Sequence, residues 1–389
     1  MKRVTIPEIR RGAKSAGLLA LWLSIASLSG CAWFGWGGSS KKPAVLPPIT
    51  GVNAASILWS ASVGKSGGYL FTPAFGDKLV YAAGRDGITY ALSEEGGRIV
   101  TRLDAKSVLT GGVGVNEDTV VVGSGKGDII ALDSAGRSLW KSAVSGEVLA
   151  APVVASGNVI VRTADGRILA LNRIDGKRKW VFQRAAPALT LRTNASVVVN
   201  RGVIYAGYPG GKVIALELDS GKPIWEATIS LARGATELER IADVAGLPIL
   251  DDTRICAAVY QGRTGCVETL NGNVLWSREI SSADGVAIDA KHLYVADTAG
   301  NVFALDKTNG ATVWKLEKLQ LRDPGTPVVV KGKILIGEKD GLIHVMSPEN
   351  GELIGRVPTD GSRVVSLSAS GDRVIAQTEK GGVFAIDVK

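Results

Sequence analysis

The chain reads as an all-β protein, an eight-bladed β-propeller of four-stranded antiparallel blades in which an N-terminal strand closes the last blade. Three observations predict this. A glycine recurs at Gly87, Gly127, Gly166, Gly211, Gly262, Gly300, Gly341 and Gly381, with a mean period of 42 residues. Four residues after half of these comes an Ala-Leu-acid or Ala-Ile-acid step, at Ala131-Leu132-Asp133, Ala215-Leu216-Glu217, Ala304-Leu305-Asp306 and Ala385-Ile386-Asp387. A second glycine (Gly136, Gly176, Gly221, Gly272, Gly310) then stands four residues before a tryptophan (Trp140, Trp180, Trp225, Trp276, Trp314). A repeat of this length marks a solenoid or a radial array.

Within each unit, β-branched runs such as Val159-Ile160-Val161 and Ile168-Leu169-Ala170-Leu171 alternate with turns. Asp86-Gly87, Asp165-Gly166 and Asp340-Gly341 suit tight hairpins, which need positive φ at their centre. The second glycine opens another turn, and the tryptophan starts the outer strand, where a large flat side chain can pack against a neighbouring blade. The last glycine mark lies eight residues from the C-terminus, so its unit lacks an outer strand. Ile57-Leu58-Trp59-Ser60 carries a tryptophan with no unit before it and predicts the missing strand.

The units are unequal. Thr101 and Gly355 stand where two tryptophans are expected, and Gly265-Cys266-Val267-Glu268 replaces one Ala-Leu-acid step. The longest interval, from Gly211 to Gly262, carries an insertion at 231–250. Insertions in repeat proteins map to loops on one face, often the binding face; an idle surface loop is the alternative.

The first thirty residues stand apart from the fold. Lys2, Arg3, Arg10, Arg11 and Lys14 precede an apolar segment, Ala16 to Leu28, which is too short to span a bilayer. Leu28-Ser29-Gly30-Cys31 resembles the bacterial lipobox, which implies cleavage before Cys31 and acylation of its thiol. Acyl chains contribute about 0.8 kcal/mol per buried methylene. Ala32 follows, where an aspartate would resemble an inner-membrane retention signal, so the outer membrane is favoured. Trp33, Phe34 and Trp36 suit the headgroup region. The predicted division is 1–30 as signal peptide, 31–50 as lipidated cysteine and flexible tether, and 51–389 as propeller. Residues 1–30 hold five Lys or Arg and one Glu, so about +4 of the formal +8 leaves with them. A mildly basic remainder fits solubility and an acidic partner, not nucleic acid.

Chemistry-bearing constellations are scarce. His292 and His344 stand alone in strand-like runs, with no zinc-site spacing. The acids Asp133, Glu217, Glu268, Asp306 and Asp387 recur at strand ends, where turn formation accounts for them. Gly123-Ser124-Gly125-Lys126-Gly127 lacks the spacing of a phosphate loop. The expectation is a non-enzyme without a metal or cofactor. Cys256 and Cys266 lie symmetrically about Gln261, an apparent hairpin tip. They are either a cross-strand disulfide in an oxidising compartment or two small buried residues at the positions of Tyr205 and Ala215.

The repeat resembles that of pyrroloquinoline-quinone dehydrogenases across residues 57–389, but the chain lacks their adjacent cysteine pair and is far shorter. The fuller resemblance is to the BamB family, lipoprotein subunits of the outer-membrane β-barrel assembly machinery. It rests on the lipobox, the short tether, the repeat and two further segments. Pro187-Ala188-Leu189-Thr190-Leu191-Arg192 resembles the family's Pro-x-Leu-x-Leu-Arg loop. The segment from Gly234 to Val244 resembles its second such stretch, with Ala245 where relatives can carry another aspartate. The resemblance implies a scaffold lipid-anchored through Cys31, facing the periplasm and carrying no cofactor. It implies contact with BamA and the other subunits of the complex through Leu189, Leu191, Arg192 and Asp243. Unfolded outer-membrane proteins pairing with apolar strand edges are a further implied partner. From the residues alone, the two leucines either dock a partner or fold back over the propeller. A quinoprotein-like or small-ligand-binding propeller is the rival function.

Overall fold

β-Branched runs separated by turn glycines give eight four-stranded antiparallel sheets among the described residues of a computed structural model, the expected eight-bladed propeller. The structure describes residues 42–50, 52–185, 187, 189–192 and 194–389. The predicted signal segment, Cys31 and the neighbouring aromatic residues lie outside them. Blades 1 to 7 occupy residues 74–104, 109–143, 153–182, 198–228, 249–278, 287–316 and 328–358, each with its strands in chain order. Blade 8 takes Val364–Ser370, Arg373–Thr378 and Gly382–Val388 and is completed by Ala55–Ser62. The closing strand keeps the register of the repeat, with Trp59 opposite Ala385.

The Ala-Leu-acid step now has a mechanical meaning. In every other blade the alanine position faces the tryptophan position across the third and fourth strands, as in Ala131 and Trp140, Ala215 and Trp225, or Ala304 and Trp314. A bulge follows at once between the alanine and the leucine. The methyl leaves room for the indole, and the bulge bends the outer strand. The acid that follows holds the turn: Asp133 Oδ1 accepts from the Ala135 and Arg137 amides, and Asp306 Oδ1 from those of Thr308 and Asn309.

The tryptophans join blades. Trp276 Nε1 donates to the Lys307 carbonyl of the next blade at 2.9 Å, and Trp314 Nε1 to that of Pro348 at 2.8 Å. Trp59, Trp140, Trp180 and Trp225 repeat the contact on Glu94, Arg173, Leu218 and Thr269. Each ring lies against the second glycine of the next blade. A Cβ at Gly310 would collide with Trp276, and the positive φ of Gly310 independently favours glycine. The buried apolar residues accordingly form eight clusters, each straddling two adjacent blades. The core sits between blades, so closing the ring covers every face.

Two junctions lack the tryptophan, as the sequence predicts. Between blades 1 and 2, Phe71, Tyr81 and Leu103 fill the space. Between blades 7 and 8 the N-terminal segment substitutes: Asn53 occupies the space beside Gly355 and exchanges hydrogen bonds with the Arg356 backbone. That segment differs from a free tether ending at residue 50. Leu46 and Ile49 pack on the cluster between blades 6 and 7. Ala44 donates to the Gln320 carbonyl and accepts from Arg322 Nε, while Arg356 holds the Pro47 carbonyl. Pro43, Pro47 and Pro48, with the side chains of Leu46 and Ile49, make 43–50 an extended strap on the ring.

In blade 5, Cys256 and Cys266 are paired in register and joined by a disulfide. They replace Tyr205 and Ala215 of blade 4, and Cys266 faces Trp276 as the alanines do elsewhere.

Candidate functional site

Because the strands of a blade alternate in direction, the glycine-marked turns between second and third strands share one end of the ring with the blade-to-blade crossovers. The two segments singled out in the sequence are both crossovers, 183–197 between blades 3 and 4 and 229–248 between blades 4 and 5. They therefore lie on one face.

Asp243 ties them together. Its residue is 1 % exposed, and Oδ2 accepts the Leu191 amide at 2.6 Å. Its backbone bridges Pro209 and Tyr260, while Ala242 and Val244 are buried in the cluster between blades 4 and 5. Burial pushes the Asp243 carboxyl up; the Leu191 and Gly210 amides and the Arg162 charge oppose that shift. The carboxylate is thus a latch inside the face, with its backbone stitched to two blades. Leu191, half-buried, is held through its amide.

The other two predicted residues face outward. Leu189 is 43 % exposed. Arg192 is exposed and forks onto both oxygens of Glu147, at 2.5 and 3.1 Å. Its guanidinium also lies over the Tyr69 ring, which Arg85 covers as well. Glu147, and next Tyr69, raise the Arg192 pKa. Arg192 therefore spans crossovers from three different junctions. On the same face, residues 231–240 are exposed throughout, including Leu231 and Leu238. Glu239 orders their tip by accepting the Ala235 and Thr236 amides.

Beside Pro187 and Leu191 lies a cavity of about 410 Å3, lined among others by Arg162, Arg184, Tyr208, Lys212 and Asp243. Burial raises the Tyr208 phenol to about 12, and its hydroxyl donates to the Gly166 carbonyl. Arg162 was not among the residues predicted. The signal lay in the repeat, four residues before each glycine mark. That position holds Ala83, Gly123, Gly207, Ala258, Ala296 and Gly337 in six blades, Gln377 in the closing blade and Arg162 in blade 3. Strand pairing puts all eight in the same register.

Among the described residues no three His, Cys, Asp or Glu side chains converge as a metal-binding group. His344 is buried beside Glu338, which pairs with Arg322, and His292 bonds Tyr294.

Residues 85–316 match the family model described as outer membrane protein assembly factor BamB. The protein of that name from Nitrosomonas eutropha is 40 % identical over 334 residues, covering 85 % of this chain and 82 % of that protein. The Escherichia coli one is 31 % identical over 385 residues, covering 95 % and 98 %. The crystal structure of BamB from Moraxella catarrhalis superposes with a TM-score of 0.79 at 26 % identity, covering 86 % of this chain and 99 % of that one. A quinohemoprotein alcohol dehydrogenase from Comamonas testosteroni shares the fold, with a TM-score of 0.71 at 16 % identity. With these matches spanning nearly all of the propeller, the chain belongs to the outer membrane protein assembly factor BamB family.

Proposed function

We propose that the chain is a non-enzymatic scaffold of the outer-membrane β-barrel protein assembly complex, anchored to the outer membrane through lipidated Cys31 and facing the periplasm. It docks the periplasmic domains of BamA and assists delivery and insertion of outer-membrane proteins. The observation that carries this reading is the joining of the two irregular crossovers by one buried bond, Asp243 to Leu191, which presents Leu189, Arg192 and the 231–240 tip on a single face. Exposed leucines beside a forked guanidinium are the composition of a docking surface. In this role Asp243 and Leu191 position the surface, while Leu189 and Arg192 touch the partner. Arg192 exchanges or extends its Glu147 bond on docking, and the rigid ring keeps the crossovers in place.

Purification of the lipoprotein in mild detergent tests this reading. BamA and its companion subunits are expected among the co-purifying proteins. Their absence, together with tight binding of added pyrroloquinoline quinone and calcium and reduction of a dye, would replace the scaffold with a quinoprotein.

A further inference from the structure

The Arg162 cavity has an unusual charge balance. Arg162 is 7 % exposed, and its Nη1 donates to the Ala195 carbonyl at 3.1 Å while the guanidinium stacks on Tyr208. Among the described residues no carboxylate stands within ion-pair distance of it. Every neighbouring cation is matched: Arg184 and Lys212 share Glu226, and Arg167 pairs with Asp165. Asp243 also lines the cavity but acts on Arg162 from beyond ion-pair distance; its Oδ2 accepts the Leu191 amide, and its buried Oδ1 has no hydrogen-bond partner among the described residues. A guanidinium stays protonated and offers five donors, so burying one without a carboxylate is costly. The repeat shows that the fold does not require it, since six blades place alanine or glycine there. The cavity is also lined by Pro187, Thr190 and Leu191, on the proposed docking face.

We propose that this cavity receives an aspartate or glutamate side chain from the docking partner, with Arg162 as the forked donor at its base and Tyr208 as its wall. The inference rests on the docking reading above and adds the chemistry of the partner: an acidic residue on a loop slender enough to enter. A carboxylate arriving here completes a charge pair that the free chain lacks. Recognition through Arg162 thus adds specificity to the apolar contact made by Leu189.

Two variants test it, with affinity for full-length BamA in detergent measured across a salt series. Arg162→Gln is expected to weaken binding at least about tenfold and to flatten its salt dependence. Ala164→Glu lines the same cavity with an in-chain carboxylate; it should weaken binding similarly while leaving the melt within a few degrees of wild type. Combining the two should add little further loss, because both remove one interaction. Wild-type affinity in a folded Ala164→Glu chain, or weakened binding with an unchanged salt slope in both variants, overturns the inference. Failure of the wild-type chain to bind BamA at all defeats the docking reading and this inference with it.

Discussion

The blade junctions and the crossover face of this propeller use the same chain for opposite ends. At six junctions an indole bonds the next blade's carbonyl and lies on its turn glycine, with an alanine opposite it in five of the sheets and Cys266 in the sixth. Any departure there leaves a void or a clash. On the crossover face between blades 3 and 5, lengths vary, leucines stay exposed and an arginine occupies a position that the repeat keeps small. The difference teaches that the ring is held by packing repeated from junction to junction, whereas the proposed docking surface lies where that repetition breaks. Substitutions should therefore separate cleanly into those that melt the ring and those that silence it.

The largest effect is expected at a junction. Trp276→Ala removes an indole packed between blades 5 and 6 and should cost about 3–5 kcal/mol of stability. Below its lowered melting temperature the variant should still bind BamA; a loss of binding by fully folded protein would break the separation. A smaller effect belongs to Asp284, in the crossover between blades 5 and 6. Burial, and next the Asp323 charge, push its carboxyl up to about 6, with Arg363 opposing. A raised carboxyl contributes stability when protonated, so that contribution is full below the ordinary carboxylate range and is lost as pH rises through about 6. Thermal melts should show the wild type losing up to about 3 kcal/mol over that window, with Asp284→Asn flattening the profile. The smallest global effect is expected in the strap. Leu46→Ala with Ile49→Ala should lower stability by about 1 kcal/mol or less, yet the Ala44 amide, bonded to Gln320, should exchange with solvent several-fold faster. Unchanged exchange at Ala44 would show that its hydrogen bond, not the apolar packing, holds the strap.

How much of this was legible depends on how local each cause is. Blade count, closure and the two missing tryptophans follow from residue types at fixed spacing, since positive φ demands glycine and a facing indole demands a small residue. The tryptophan's receptor in the next blade was also encoded in the second glycine, but only blade-to-blade packing shows which indole covers which glycine. Cys256 and Cys266 could be two small core residues or a bridge until the register set them side by side. The crossovers stood out by their length and by family resemblance. Asp243 did not announce itself as a latch, because its partner amide lies 52 positions away in another loop. Arg162 was readable only by comparing one position across all eight units. The strap's start was hidden because prolines and isolated apolar residues look alike in a free linker and in a docked one.

The most direct test of the central claim is the paired substitution Leu189→Ala with Arg192→Ala, read by co-purification with BamA and by thermal melting of the same sample. The predicted result is loss of BamA with a melting temperature within a few degrees of wild type, since neither side chain belongs to a core cluster between blades. Retained co-purification by the folded double variant would contradict it and place recognition somewhere other than the irregular crossovers.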